Sequence, residues 1–243
     1  ALALDRNEIV QATVGQFDNR AKVLNNRFYV NNQPDYKDNA PAEYNTRNVA
    51  KAKQLIESIG YTMGTDGVYR APDGHRLSLE ISTTQRNPLR ESTVDLIIRQ
   101  LKDAGIEGHK FLNPDIFQDR SKAKSLAAGG FQVALFAWVS SPFVTGNVAI
   151  YHSGTADAPG QNYVLGNDPG VDTLLGKLTV EPDAARQAKL GNEIDTRLWQ
   201  DMYTLPLYQK PTFIAYDSGY SGIGDNATSA GPLWNSDIYA VKQ

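Results

Sequence analysis

The sequence predicts an α/β protein with a mainly parallel mixed sheet and helices on both faces. Three observations carry that expectation. From residue 77 onward, strand-like and helix-like patterns alternate as strand 77–83, helix, strand 108–112, helix, strand 131–139, the order that builds parallel strands joined by crossovers. Asn87-Pro88, Asn113-Pro114 and Asp168-Pro169 each pair an N-cap side chain with a proline at the first helical position, where the missing amide would be unsatisfied anyway. Val133 to Val139 is an unbroken apolar run between Gly129-Gly130 and Ser140-Ser141-Pro142, as in a strand buried on both faces.

Taken in order, Asp5 and Glu8 form a capping box for a short helix that Gly15 stops. Residues 16–43 are rich in Asn, Asp, Gln and Pro without periodicity, apart from Phe28-Tyr29-Val30, and are expected to wrap the surface rather than pack. Val49, Ala52, Leu55, Ile56 and Ile59 share one helical face ended by Gly60. Asp66-Gly67 and Pro72-Asp73-Gly74 are turns around Val68 to Arg70, after which Leu77 to Thr83 alternates as a strand does.

The helix from Pro88 turns Val94, Ile97, Ile98 and Leu101 inward and stops at Gly105; the helix from Pro114 stops at Gly129-Gly130. After the loop 140–167, Val171, Leu174, Leu175 and Leu178 mark one helix, and Leu190, Ile194 and Leu198 mark a second, starting near Pro182. Thr204 to Tyr216 is apolar and aromatic but holds Pro206 and Pro211, which suits an edge or crossover strand. The tail from Asp217 is rich in turn residues.

With 243 residues, 41% of them hydrophobic and 21% charged, the chain can bury a sizeable core. A net charge of −3 spread along the sequence gives no footprint for nucleic acid and no polybasic membrane patch. Without cysteine there is no disulfide, thiolate nucleophile or thiolate metal site. Residue 1 opens directly onto helical sequence, so the chain is expected to be a portion of a longer, processed protein.

No glycine-rich phosphate loop follows a strand, and His75, His109 and His152 lack the spacing of a helical metal site, so neither cofactor nor metal is expected. Gly219-Tyr220-Ser221-Gly222-Ile223 is half of a nucleophile elbow, lacking the second glycine, and reads as a turn. Catalysis is therefore not expected. What remains is a polar and aromatic set where strands should end: Thr83 to Arg86, Arg90, Trp138 to Ser141, Gln161 to Tyr163, and Trp234-Asn235. Arginine forks, rings and hydroxyls suit non-covalent recognition of a polar organic ligand. Thr84, Arg86, Arg90, Trp138, Ser140, Ser141, Asn162 and Tyr163 are the candidate contacts, with much of Trp138 expected to pack in the core.

Several stretches together resemble the extracellular solute-binding protein family 5, the dipeptide- and oligopeptide-binding components of ABC importers. They are Ala3 to Val10, Ala50 to Ile56 with Gly60-Tyr61, Asn87 to Arg90 with Leu101 to Ile106, Phe131 to Trp138, Gln161 to Tyr163 with Val171-Asp172, and Leu205 to Tyr208. The resemblance implies a periplasmic-binding-protein-like (class II) lobe over 1–203, with 204–243 as a crossing strand and tail returning to a first lobe. It implies a monomer that hands a peptide or other polar molecule to ABC permease subunits. It also implies an extracytoplasmic location, with membrane contact only through an N-terminal lipid anchor, and the tail from Ser221 to Asn235 looks most like actinobacterial members.

One departure matters. Peptide-binding members typically carry an aspartate after the tryptophan strand, where it pairs with the ligand's amino group. Here that loop reads Ser140-Ser141-Pro142, with no carboxylate before Asp157. A buried ammonium without a partner is costly, which favours a neutral, sugar-like or capped ligand. The alternative reading keeps the fold but makes the chain a non-transport lipoprotein module linked to actinobacterial cell-wall mannolipid synthesis.

Overall fold

The computed structural model describes residues 1–155, 158–226 and 228–242. Helix α1 (Arg6–Ala12) begins where Asp5 accepts the Glu8 amide at 2.9 Å, and α2 (Val49–Ser58) where Asn48 accepts from Lys51. Strands β1 (Thr62–Met63) and β2 (Tyr69–Arg70) form a short antiparallel ladder. Strand β3 (Ser78–Thr84), helix α3 (Pro88–Asp103) and strand β4 (Glu107–Asn113) follow as a βαβ unit.

In α3 the Asn87 side chain accepts the Arg90 amide while its own amide donates to Glu91, a reciprocal cap. The helix stops at Gly105, whose φ is +76°; a β-carbon there would come within 2.7 Å of the Tyr69 ring. Strand β5 (Val133–Leu135) completes a parallel sheet of order β4-β3-β5, with Ser78 opposite Glu107 and Ile81 opposite Val133. The helix packed directly on β3 and β4 is α3, and its Val94, Ile97 and Leu101 join Ile81, Leu2, Ile9 and Ala52 in one core.

A second core forms between α5 (Pro169–Val180) and α6 (Ala184–Asp201), reached through the short α4 (Val148–Tyr151). Val171, Leu175, Leu178, Ile194 and Leu198 enclose Phe28 and Tyr29. The expectation that residues 16–43 only wrap the surface is thus corrected: Asn25 and Asn26 are buried with those rings, tied by Asn26 to Lys37 and Asn192. Strands β6 (Tyr220–Ser221) and β7 (Ala240–Val241) pair antiparallel in the tail.

Four other expectations differ. No helix forms from Pro114; residues 114–130 are successive turns, in which Asp119 takes the amide of Ser121, Ser125 takes that of Ala128, and the Asn113 side chain donates to the Lys124 carbonyl. Side chains that bond nearby amides compete with the helix ladder. The strand expected over 131–139 pairs only over Val133–Leu135, and as an edge strand it is partly open: Val133 is 38% and Val139 68% exposed. Residues 204–216 form no ladder beyond the bridge of Tyr208 to Val23, joined by Leu24 donating to the Leu207 carbonyl. On α2, Leu55 and Ile59 also stand exposed instead of completing the inward face.

Candidate ligand-binding cleft

Strands β3 and β5 run parallel with Thr83 opposite Leu135, so their following residues leave the same sheet edge. That edge is where open α/β sheets place ligands. Beyond β5, Phe136 meets Trp138 edge-on at 5.2 Å, and Trp138 stacks on Tyr163 at 5.9 Å with an interplanar angle of 11°. Phe117 extends the ladder, edge-on to Phe136 at 5.9 Å. Trp138 is 41% exposed, so its expected place in the core is corrected: a ring at the end of an edge strand has a stacking partner but no covering layer.

Beside Trp138 lies a cleft of ≈ 240 Å³, lined by Ser140, Ser141, Asn147, Tyr151, Gln161 and Arg27 among others. The tail closes one side, where Ser229 lines the cleft and donates its amide to the Ser140 carbonyl at 2.9 Å. Among the described residues, no carboxylate belongs to this lining. Asp157, the next carboxylate in the sequence after Ser141, lies outside the described residues.

Arg27 is the cation at the cleft, and its charge is already met. Its Nη1 donates to Asp195 Oδ1 at 2.9 Å, its Nε to Thr204 Oγ1, and its guanidinium lies 4.5 Å from the Trp199 ring centre. Burial pushes the Asp195 carboxyl up, against the opposing pull of Arg27 and Asn39. Arg6 lies on the same indole and bonds Asn25 and the carbonyls of Leu24, Tyr44 and Pro206; its burial holds the guanidinium down to about 10.

Of the residues singled out in the sequence, Trp138, Ser140 and Ser141 line the cleft, and Tyr163 joins them through the stack. Asn162 is buried and its amide is used inside the loop, donating to His152 and Gly166 carbonyls and accepting from the Gly166 amide. It shapes the cleft by holding its loop. Thr84, Arg86 and Arg90 form a separate group at the β3 exit: Arg90 Nη1 donates to Thr84 Oγ1 at 2.9 Å, while Arg86 is exposed with φ +59°. Trp234 and Asn235 instead bond Gly224 and Gly222 within the tail, and Ser221 lies in β6.

Sequence reasoning missed Arg27, Asn147, Tyr151 and Ser229. Arg27 directly precedes the one apolar run of its segment, Phe28-Tyr29-Val30, and that adjacency was its available signal. Ser229 had none.

Hydroxyls, amides, stacked rings and a neutralised guanidinium thus lie together at the end of a parallel sheet. Residues 1–160 match the model of the bacterial extracellular solute-binding proteins, family 5, middle region, and the chain belongs to that family. The oligopeptide-binding protein OppA of Mycobacterium tuberculosis is 23% identical over 230 residues, covering 92% of this chain and 36% of that protein. A lipoprotein of Mycobacterium leprae is 27% identical over 179 residues, covering 70% of this chain and 31% of its own length. The chain therefore spans about a third of the length of these relatives.

Two of the solved structures that share the fold illustrate the likeness. The periplasmic EDTA-binding protein EppA superposes with a TM-score of 0.84 at 24% identity, over 100% of this chain and 44% of that one. The oligopeptide-binding protein from Thermus thermophilus, complexed with a pentapeptide, gives 0.80 at 23% identity, over 99% of this chain and 43% of that one.

Proposed function

We propose that this chain is the second ligand-binding lobe, residues 1–203, of a solute receptor for an ABC importer, with 204–243 crossing toward a first lobe. The lobe takes a peptide or other polar organic molecule by closure of the two lobes and performs no chemistry. The observation that carries this reading is the stacked Trp138–Tyr163 pair beside a cleft lined by Ser140, Ser141 and Gln161. Rings supply contact area at low entropic cost and the hydroxyls and amides orient a polar ligand.

Family membership and the peptide-binding names of relatives support a solute-binding role; in this reading the receptor is a monomer and ABC permease subunits are its partners. The lipoprotein name of the Mycobacterium leprae relative supports an extracytoplasmic, lipid-anchored location. The alternative, a module linked to cell-wall mannolipid synthesis, finds no support among these relatives. The test is calorimetry of the full-length protein with peptide and glycan pools. Saturable binding to one pool is the expected result; no binding to either, with no thermal shift, would sink the proposal.

A further inference from the structure

The turn that ends α6 grips the loop carrying Gln161, Asn162 and Tyr163. Met202, left-handed at φ +53°, donates its amide to the Leu198 carbonyl, and Tyr203 then lays its ring against Gly166, where a β-carbon would come within 2.8 Å of it. On the loop side Leu165 is also left-handed, at φ +53°. Residues with side chains are strained in that conformation and keep it only where their surroundings hold them. From Gly166 the contacts run through the Asn162 clamp to Tyr163 and its stack on Trp138.

Two carboxyls meet at the centre of this grip. Asp168, the cap of α5, accepts the Gly170 amide and both arms of the Arg197 fork, so its charge is already matched. Asp201, one turn after Arg197 on α6, lies within hydrogen-bonding reach of Asp168, and its Oδ2 is buried and meets no donor. Two carboxylates can only accept, so an ionised Asp201 would repel Asp168, whereas a protonated one donates to it. The charged groups facing Asp201 are Asp168 at the start of α5, Arg197 on α6 and Arg27 from the segment before Phe28. Burial first, and the Asp168 charge second, push the Asp201 carboxyl up from its ordinary 3.8 against the pull of the two arginines. The pair is not a cation site: Arg197 occupies the Asp168 oxygens, and among the described residues no group of three or more acids or histidines could hold a metal ion.

We infer that Asp201 keeps a proton that it shares with Asp168, and that the pair is a pH-operated latch on the loop at the cleft. While the proton is held, the end of α6 clasps residues 162–168; when it passes to water, two like charges face each other and the clasp loosens. A carboxyl raised on folding stabilises the fold fully below its unfolded value, and that contribution is lost as pH rises through the folded one. The sign is opposite to that of a carboxyl held down, such as Asp168. The inference goes beyond the solute-binding reading and does not depend on it.

The experiment needs no ligand. Hydrogen exchange of the full-length protein, corrected for the base catalysis of exchange itself, is read at Leu165 and Gly166, whose amides donate to the Asn162 carbonyl and side chain. Between about pH 4 and pH 8 their protection should fall about tenfold, the scale of one charge-assisted hydrogen bond. Asp201→Asn keeps a donor toward Asp168 at every pH, so protection there should stay high and the step should vanish. A loop held by an ionised Asp201 would instead lose protection in that variant. Circular dichroism checks its fold; if it misfolds, Asp168→Asn, which keeps an Asx cap, should shrink the step. A flat wild-type profile, a step of unchanged size in folded Asp201→Asn, or one of unchanged size in Asp168→Asn overturns the latch and leaves solute binding untouched.

Discussion

Arg27 and Asp195 form an ion pair at 2.9 Å with both side chains almost wholly removed from solvent, and Trp199 covers the guanidinium. The pair joins the irregular segment before Phe28 to α6, next to the cleft. Replacing Asp195 by alanine would strand a buried cation, which costs about 3–5 kcal/mol. Urea denaturation should show that loss, and Arg27→Met with Asp195→Leu should restore much of it. A single-variant loss below about 1 kcal/mol would mean that water reaches the pair.

At the start of α5, burial pushes the Asp168 carboxyl up, but the Gly170 amide and the Arg197 guanidinium outweigh it and hold the group below its ordinary 3.8. A depressed carboxyl stabilises the fold above its unfolded value and loses that contribution as pH falls through the folded one. Urea midpoints should therefore drop below about pH 4. Asp168→Asn should flatten that part of the profile; an unchanged acid slope would mean that Asp168 does not contribute.

The Asn162 clamp predicts a loss of stability together with function. Asn162→Ala leaves the Gly166 amide and two carbonyls without their partner, at about 1–3 kcal/mol. Hydrogen exchange should speed up at Gly166, whose amide is buried in the clamp. Unaltered exchange there would contradict the role.

Trp138→Ala should behave in the opposite way. The ring is exposed, so the fold loses only about 0.5–1.5 kcal/mol from the aromatic ladder. Ligand affinity should fall about tenfold, as for an aromatic anchor. Retained affinity in calorimetry would remove the stacked pair from the site.

Ser141→Asp places a carboxylate in the cleft lining. Peptides with a free amino end should gain affinity and acetylated ones should not, because only the ammonium finds a new partner. No gain would argue that the loop does not face the ligand.

The βαβ unit was legible because each of its signals acts locally. Asn87-Pro88 starts α3, Gly105 stops it, and alternation marks β3. Asn113-Pro114 carried the same start signal, and Asn113 takes the Asp115 amide as a cap does, but Asp119 and Ser125 then spend their side chains on neighbouring amides and no helix follows. The run Val133 to Val139 overstated its strand because hydrophobicity does not tell a central strand from an edge strand. In the site, Trp138, Ser140 and Ser141 followed from their place after a strand. Arg27 and Ser229 reach the cleft from distant segments through tertiary contacts that no local pattern encodes.

The three indoles of this chain differ in surroundings: Trp199 is 1% exposed with two guanidinium groups and the Tyr44 ring against it, Trp234 is 53% exposed in the tail, and Trp138 stands at the cleft. That separation builds an optical sensor into the protein. On the proposed reading, a solute settling beside Trp138 should change the polarity around one emitter while Trp199 stays shielded, so emission from unlabelled protein should report occupancy, and Trp138→Phe should silence the report.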